Sequence, residues 1–296
     1  MMKYTLLPFV MVLLLATNAY SEDTFIGHVY PFSCPYYGCD TVESYARPLF
    51  KKTANGWQAF PNDQEIGNNP DALRRAYKLF PEKIKWYIFN HDQSLIGEET
   101  VENNKPVAWW FNAGASKMRF DPAKIKPNSA EKDDYDASND LILSTNKNIV
   151  FSKFKSRMAD INSFESSVQN IKAIENQISY IKNAKKEVTI YSFNSVDVIA
   201  ILNYIEVDDG CDWCDHQGFV LVKRGKTWQL AFDHRRNIDQ SYTGPYAAFS
   251  LKAVADFDNS GKDEYIFTFS IGEAGYGYIL WQDGMTKPLV YIFHSH

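Results

Sequence analysis

The chain has 296 residues, of which 45% are hydrophobic, 23% charged and 15% aromatic, and its formal net charge is −5. This composition is typical of a folded globular protein, and it excludes wholesale disorder and collagen-like repeats. The 31 basic residues do not outnumber the 36 acidic residues, so the chain lacks the overall positive field that binds nucleic-acid phosphates, and we predict no nucleic-acid partner.

Residues 1–21 have the pattern of a secretory signal peptide. Lys3 precedes an apolar run from Leu6 to Ala16, and Ala19-Tyr20-Ser21 offers small residues near the expected cleavage site. The run is too short to cross a hydrocarbon core of about 30 Å, which needs roughly 20 apolar residues. The pattern therefore predicts an exported protein, periplasmic or secreted, with no stable membrane insertion after the signal is removed.

Residues 22–120 are rich in aromatic side chains, and we predict that they form an N-terminal β-containing domain. The apolar runs Ile84–Phe89 and Ser94–Gly97 indicate two strands separated by a short turn. The pair Trp109-Trp110 allows a stacking platform for sugars, but aromatic side chains within strand-like runs more often fill the core. We expect core packing for four further tryptophans: Trp57, Trp86, Trp228 and Trp281.

The middle of the chain changes from polar to amphipathic. Residues 121–140 contain two prolines and an acidic cluster, and we predict a linker there. Residues 141–187 are predicted to be a helical segment, with Asn162 near its start as a capping residue. Its apolar residues recur at spacings of three and four: Ile161, Phe164, Val168, Ile171, Ile174, Ile178 and Ile181. Packing on the helix's own domain is favoured over a coiled coil, because the stripe is short.

Residues 188–296 are dominated by strand-like segments separated by turn residues, so we predict a C-terminal antiparallel β domain. The predicted strands are Val188–Phe193, Val196–Ile205, Gly218–Lys223, Trp228–Phe232, Phe249–Ala255, Tyr265–Ile271, Gly277–Trp281 and Leu289–Phe293. The expected fold class is a β-dominated α+β protein. It consists mostly of antiparallel sheet, with one longer amphipathic helix near the middle of the chain.

Four cysteines form two local pairs, Cys34 with Cys39 and Cys211 with Cys214. An even count in an exported protein favours disulfide bonds, and we expect the two local pairings because each pair lies in a turn-rich segment. Two alternatives stay open. The second pair could bind zinc together with His216 and the distant His234, or it could be a redox motif, although the aspartates around it would raise a thiol pKa.

The segment from Asp256 to Glu264 has the spacing of a calcium loop. Calcium takes six to eight oxygen ligands. The side chains of Asp256, Asp258, Ser260 and Glu264 and the carbonyl of Lys262 could supply them, and Gly261 permits a sharp turn. An EF-hand is excluded because Phe267 stands where that motif requires a bidentate Glu. The alternative is a polar hairpin turn without an ion.

This Asp-rich turn between two strands resembles the calcium loops of FG-GAP and VCBS-type repeats. The resemblance covers Val254 to Thr268, and it departs from the family in having Ser260 where an Asp is usual and in occurring once. It implies a structural calcium ion that holds the C-terminal β domain.

No G-x-S-x-G, H-E-x-x-H or P-loop motif occurs, and the glutamates Glu98 and Glu99 are expected in a solvated turn. The sequence leaves an enzymatic role open but favours a non-catalytic one. We predict an exported binding or structural protein whose partner is an extracytoplasmic protein or a glycan. The alternative is a glycan-directed secreted hydrolase, which a pocket with two carboxylates in unlike environments would favour.

Overall fold

The structure of the chain is a computed structural model, and it describes residues 23–32, 43–61, 71, 81, 83–90, 93–102, 116–119, 141–171, 174, 184–206, 216–233, 248–271 and 275–294. Within these residues, antiparallel strands dominate and form three sheets. This confirms the predicted β-dominated α+β fold class. Each sheet is built from one continuous part of the chain.

The first sheet has seven strands. Six of them follow the order β3-β2-β1-β7-β4-β5, and β6 pairs with a different stretch of β2 from the one that pairs with β3. Its strands are β1 (Phe25–Phe32), β2 (Glu43–Thr53), β3 (Gly56–Ala59), β4 (Lys83–Phe89), β5 (Leu95–Glu102), β6 (Ser116–Met118) and β7 (Ile142–Ser144). β2 has a bulge at Leu49, the unpaired residue next to Pro48, whose nitrogen cannot donate to the ladder. Gly27 is required beside this bulge, because a Cβ atom there would lie 2.7 Å from the Arg47 carbonyl.

The second sheet has five strands in the order β12-β11-β10-β9-β8, and the third has four strands in sequence order. The five-stranded sheet consists of β8 (Phe154–Met158), β9 (Ala184–Phe193), β10 (Val196–Glu206), β11 (His216–Arg224) and β12 (Thr227–Asp233). The four-stranded sheet consists of β13 (Ala248–Ala255), β14 (Glu264–Ile271), β15 (Gly275–Gln282) and β16 (Leu289–His294). The segments predicted as strands after residue 188 all lie within these elements.

The four-stranded sheet is the central layer of the molecule, since both of its faces are buried. Successive side chains of a strand point to opposite faces. On β15, Leu280 packs into a core shared with the seven-stranded sheet, whereas Trp281 packs into a core shared with the five-stranded sheet. On β14, Ile266 packs toward the seven-stranded sheet and Phe267 packs toward the five-stranded sheet. This double burial explains why these strands are almost continuously apolar.

Helix α1 (Ile161–Val168) covers the other face of the five-stranded sheet. Its buried residues Phe164 and Val168 pack in one cluster with β9, β10 and β11, as expected for a helix that packs on its own domain. Asp160 caps the helix by accepting a hydrogen bond from the Ser163 amide at 2.9 Å. The predicted cap, Asn162, is wrong, because this residue already lies inside the helix.

The predicted helical segment 141–187 also contains strands. β7 inserts between β1 and β4 of the seven-stranded sheet, and β8 forms an edge of the five-stranded sheet. Strands of three to five residues show too little alternation of apolar and polar residues to be recognised beside the isoleucine stripe. In the described part of the chain, Ile174 is buried in the same cluster as α1. Ile178 and Ile181 lie outside the described residues.

Two side chains of the five-stranded sheet and one backbone amide form hydrogen bonds with the free edge of β13. Asn203 of β10 both donates to the Phe249 carbonyl, at 3.1 Å, and accepts from the Phe249 amide, at 3.0 Å. The Tyr191 hydroxyl accepts from the Leu251 amide at 3.3 Å, and the Ser152 amide donates to the Val254 carbonyl at 2.8 Å. An edge strand with its polar groups satisfied in this way is closed to pairing with another chain.

Among the described residues, no helix combines the length and the apolar character needed to cross a membrane.

Candidate functional site

The Asp-rich loop connects β13 to β14 and is shaped by its own backbone. The Asp256 carboxylate accepts hydrogen bonds from the amides of Ser260, at 2.8 Å, and Gly261, at 2.7 Å. Asp258 accepts from the same Ser260 amide at 3.1 Å. Asn259 and Gly261 adopt positive φ angles of 55° and 81°, which Asn and Gly tolerate best. The aspartates therefore fold the turn through hydrogen bonds from its backbone.

A lysine from the seven-stranded sheet neutralises one of these aspartates. The Lys52 ammonium of β2 lies 2.5 Å from Asp258 Oδ2, and the Asp258 side chain is only 5% exposed. Lys52 is paired directly across the β2–β3 hairpin with Trp57, and its ammonium lies 5.5 Å from the centre of that ring. The hairpin thus fixes the position from which the ammonium reaches the loop.

Glu264, the first residue of β14, is fully buried beneath the loop. Its carboxylate accepts hydrogen bonds from the Phe257 amide at 2.8 Å, from Trp57 Nε1 at 3.2 Å and from Gln282 Nε2 at 2.7 Å. Burial is the main cause that raises the pKa of Glu264, to about 7, and the negative charge of Asp258 adds to this effect, while the donated hydrogen bonds oppose it.

The pKa of Asp258 shifts in the opposite direction. Burial acts to raise it, but the hydrogen bonds from Lys52 and Ser260 and the charge of Lys52 outweigh burial and lower the pKa below the usual value for Asp. Two adjacent carboxylates therefore differ in their protonation behaviour. Neither carboxylate lines the pocket described below, and Glu264 is closed to solvent. The pair is therefore best explained by a structural role in holding the central sheet against the seven-stranded sheet.

The structure brings together three of the five predicted calcium ligands. Oxygen atoms of Asp256, Asp258 and Glu264 lie within 4.8 Å of one another, close enough to share one cation. Ser260 takes part through its amide, and Ser260 and Lys262 are exposed. Calcium would have to compete with the Lys52 ammonium for Asp258, and with three hydrogen-bond donors for Glu264. The calcium ion implied by the family resemblance stays a prediction.

Sequence reasoning missed Lys52, Trp57 and Gln282, the residues that complete the cluster. Trp57 was expected only as a core residue, and it is indeed buried, but its indole N–H also meets Glu264 from 207 positions away in sequence. No local pattern marks such a pair. The four cysteines of the predicted disulfides, Cys34, Cys39, Cys211 and Cys214, lie outside the described residues, as do Trp109-Trp110.

A second candidate site is a pocket of about 440 Å³ on the seven-stranded sheet. Two aromatic rings, Phe25 and Tyr87, line it together with a cluster of polar residues. The lining residues are Asp23, Phe25, Pro81, Lys83, Ile84, Lys85, Tyr87 and Thr145. A pocket of this volume is within the range that holds small ligands. No local motif predicts it, because it combines residues of β4 with residues at the ends of β1 and β7 that are distant in sequence.

Lysine side chains surround the aromatic rings of this pocket. The ammonium groups of Lys85 and Lys147 lie 5.2 Å and 5.9 Å from the centre of the Tyr87 ring, and that of Lys51 lies 5.2 Å from the centre of Phe25. Lys85 also contacts Glu98 at 3.1 Å, and this hydrogen bond is the main cause that raises the pKa of Lys85. Glu98 and Glu99 belong to strand β5, so the expectation of a solvated turn at these positions is wrong.

Comparison with known proteins gives no relative: no family model, no curated protein and no solved structure matches this chain.

Proposed function

We propose that this chain is an exported, non-catalytic binding protein, and that the pocket of the seven-stranded sheet binds an anionic glycan. The single observation that supports this most is the joint presence of aromatic rings and lysine ammonium groups around one concave surface. Export rests on the signal-like pattern of residues 1–21.

The chemistry of the pocket favours a ligand that carries carboxylate or sulfate groups. Lys83 pairs with Glu102 at 3.0 Å and Lys85 pairs with Glu98 at 3.1 Å, and all four side chains are about half exposed or more. Exposed pairs of this kind contribute only about 0–1 kcal/mol each, so an anionic ligand can displace the glutamates at little cost. The carbohydrate ring would pack against the partly exposed ring of Tyr87.

The rest of the fold supports a scaffold role. Strand β4, which carries half of the lining residues, and the nearby strands β1 and β7 pack against a large core shared with the central sheet. Sites placed on strands of a rigid scaffold keep their geometry better than sites on loops. The sequence alternative, a glycan-directed hydrolase, gains no support from the unlike carboxylates Asp258 and Glu264, because Glu264 is buried and lies outside the pocket.

The test is isothermal titration calorimetry of the mature protein with oligosaccharides of equal length that are uronate-bearing, sulfated or neutral. We expect saturable binding of an anionic oligosaccharide, with at least tenfold weaker affinity for the neutral one. The double variant Lys83→Gln, Lys85→Gln should lose about tenfold or more in affinity, and raising the salt concentration should weaken binding by the wild type.

The control is Lys185→Gln, which removes an exposed lysine paired with Glu187 on the five-stranded sheet and should bind like the wild type. Equal affinity of the double variant and the wild type would refute the pocket assignment. Release of reducing ends from any of the glycans during the titration would favour the hydrolase, and binding of a protein partner instead would reject the glycan.

A further inference from the structure

The Asp256–Glu264 loop combines the spacing of a calcium loop with a lysine from another sheet. A loop of this kind needs positive charge, because three carboxylates with oxygens within 4.8 Å of one another repel when ionised. Either a metal ion or a cationic side chain can supply that charge. The contacts around the loop distinguish these two solutions.

The first contact is the ion pair of Lys52 with Asp258, in which Nζ and Oδ2 are in direct contact. Both side chains are largely withdrawn from solvent, at 28% exposed for Lys52 and 5% for Asp258. In such surroundings the attraction between opposite charges is screened less than at an exposed surface.

The second contact is made by the residue paired with Lys52 across the hairpin. Trp57 donates its indole N–H to Glu264 while Lys52 donates to Asp258, so one cross-strand pair of the seven-stranded sheet contacts two acidic residues of the central layer. A third contact, from Asn146 Nδ2 to the Phe257 carbonyl at 3.0 Å, ties the same loop to the segment after β7.

The loop also keeps its shape through groups of its own. Both oxygens of Asp256 and one of Asp258 accept backbone amides within the turn, and Glu264 accepts the Phe257 amide. Satisfied turn amides of this kind order a loop in the same way as an Asx-turn does. The remaining Asp258 oxygen is the one that Lys52 contacts.

From these contacts we propose that the Lys52 ammonium serves as the cation of this loop in place of calcium, and that it fastens the central sheet to the seven-stranded sheet without a metal ion. The loop thus has the sequence of an ion-binding turn, but a salt bridge between two sheets stabilises it. Removing Lys52 would leave Asp258 as a largely buried charge without its partner, which is strongly destabilising.

The experiment is a thermal melt of the wild type in EDTA and in excess calcium, beside the variants Lys52→Arg, Lys52→Gln and Lys185→Gln. We expect the same wild-type Tm in both buffers, because an ion that does not bind the folded state cannot raise its Tm. Lys52→Gln should lower the Tm by at least about 3 °C, whereas Lys52→Arg, which keeps the charge, should retain most of the stability. Lys185→Gln, an exposed-pair control, should match the wild type.

Terbium provides a second readout, because Trp57 lies close enough to the loop to sensitise the emission of a bound lanthanide. The wild type should show no saturable tryptophan-sensitised emission. A wild-type Tm that rises with calcium and loses this rise in Asp256→Asn, Asp258→Asn would overturn the proposal. Wild-type stability of Lys52→Gln would overturn it as well. The wild-type measurements and the Arg variant remain decisive if the Gln variant fails to fold.

Discussion

His28 of β1 is a titratable group held in the interior of the molecule. Its side chain is fully buried, and Nδ1 lies 3.1 Å from the Tyr278 hydroxyl of the central sheet. Burial, together with the positive charges of Arg47 and Lys252, lowers the pKa of His28 well below 6.5. The neutral imidazole is therefore the form that the folded protein accommodates.

We predict that acidification destabilises the protein partly through His28. In the unfolded chain the imidazole titrates near 6.5, so below that pH the unfolded state binds more protons than the folded state. The stabilising contribution is fully present above pH 6.5 and declines as the pH falls toward the folded-state pKa. Urea unfolding between pH 7.5 and 5 should show a steeper loss of unfolding free energy for the wild type than for His28→Gln. Parallel pH profiles would contradict this role of His28.

At the scale of elements, the edge of β13 forms hydrogen bonds with a side chain of the neighbouring sheet. Asn203 of β10 forms two hydrogen bonds with the backbone of Phe249, so the side chain acts as a short substitute for a neighbouring strand. The prediction concerns Asn203→Ala, which leaves the amide and the carbonyl of Phe249 without these partners at a partly buried edge.

We expect Asn203→Ala to lower the free energy of unfolding by about 1–3 kcal/mol, the usual cost of unsatisfied polar groups. Asn203→Asp keeps the acceptor and loses the donor, so its cost should be of the same order or higher, because it also places a charge near a carbonyl. The control is Asn162→Ala on the exposed side of α1, with an effect within about 0.5 kcal/mol. Chemical denaturation measures all three, and an Asn203→Ala variant as stable as wild type would disprove the edge contribution.

The elements themselves were largely predictable. In β14 and β15 the apolar runs and the flanking turn residues are local signals, and they placed both strands within a few residues of their observed bounds. β7 and β8 were missed, because three to five residues carry little periodicity and because β7 is stabilised by its neighbours β1 and β4. The stripe of α1 was recognised, whereas its cap was misplaced by two residues.

At the scale of the whole molecule, export and oxidation remain predictions that one experiment checks. We expect intact-mass and peptide analysis of the protein from its native compartment to show a chain without residues 1–21. The four cysteines should be paired as Cys34–Cys39 and Cys211–Cys214. Free thiols in the second pair would favour a redox role, and zinc retained with Cys211, Cys214 and His216 in a native mass would favour a metal site. Retention of residues 1–21 would contradict cleavage of the signal.

The amino-acid sequence by itself determined the β-rich fold class, the positions of most strands and the acidic turn, because strand periodicity and turn chemistry depend on residues close together along the chain. Only the tertiary structure decided that the four-stranded sheet lies between the other two. It also decided that Lys52 contacts Asp258 and that Phe25, Tyr87, Lys83 and Lys85 line one pocket. These contacts join residues that are distant in sequence, and they form only when layers stack to bury apolar faces on both sides of the central sheet.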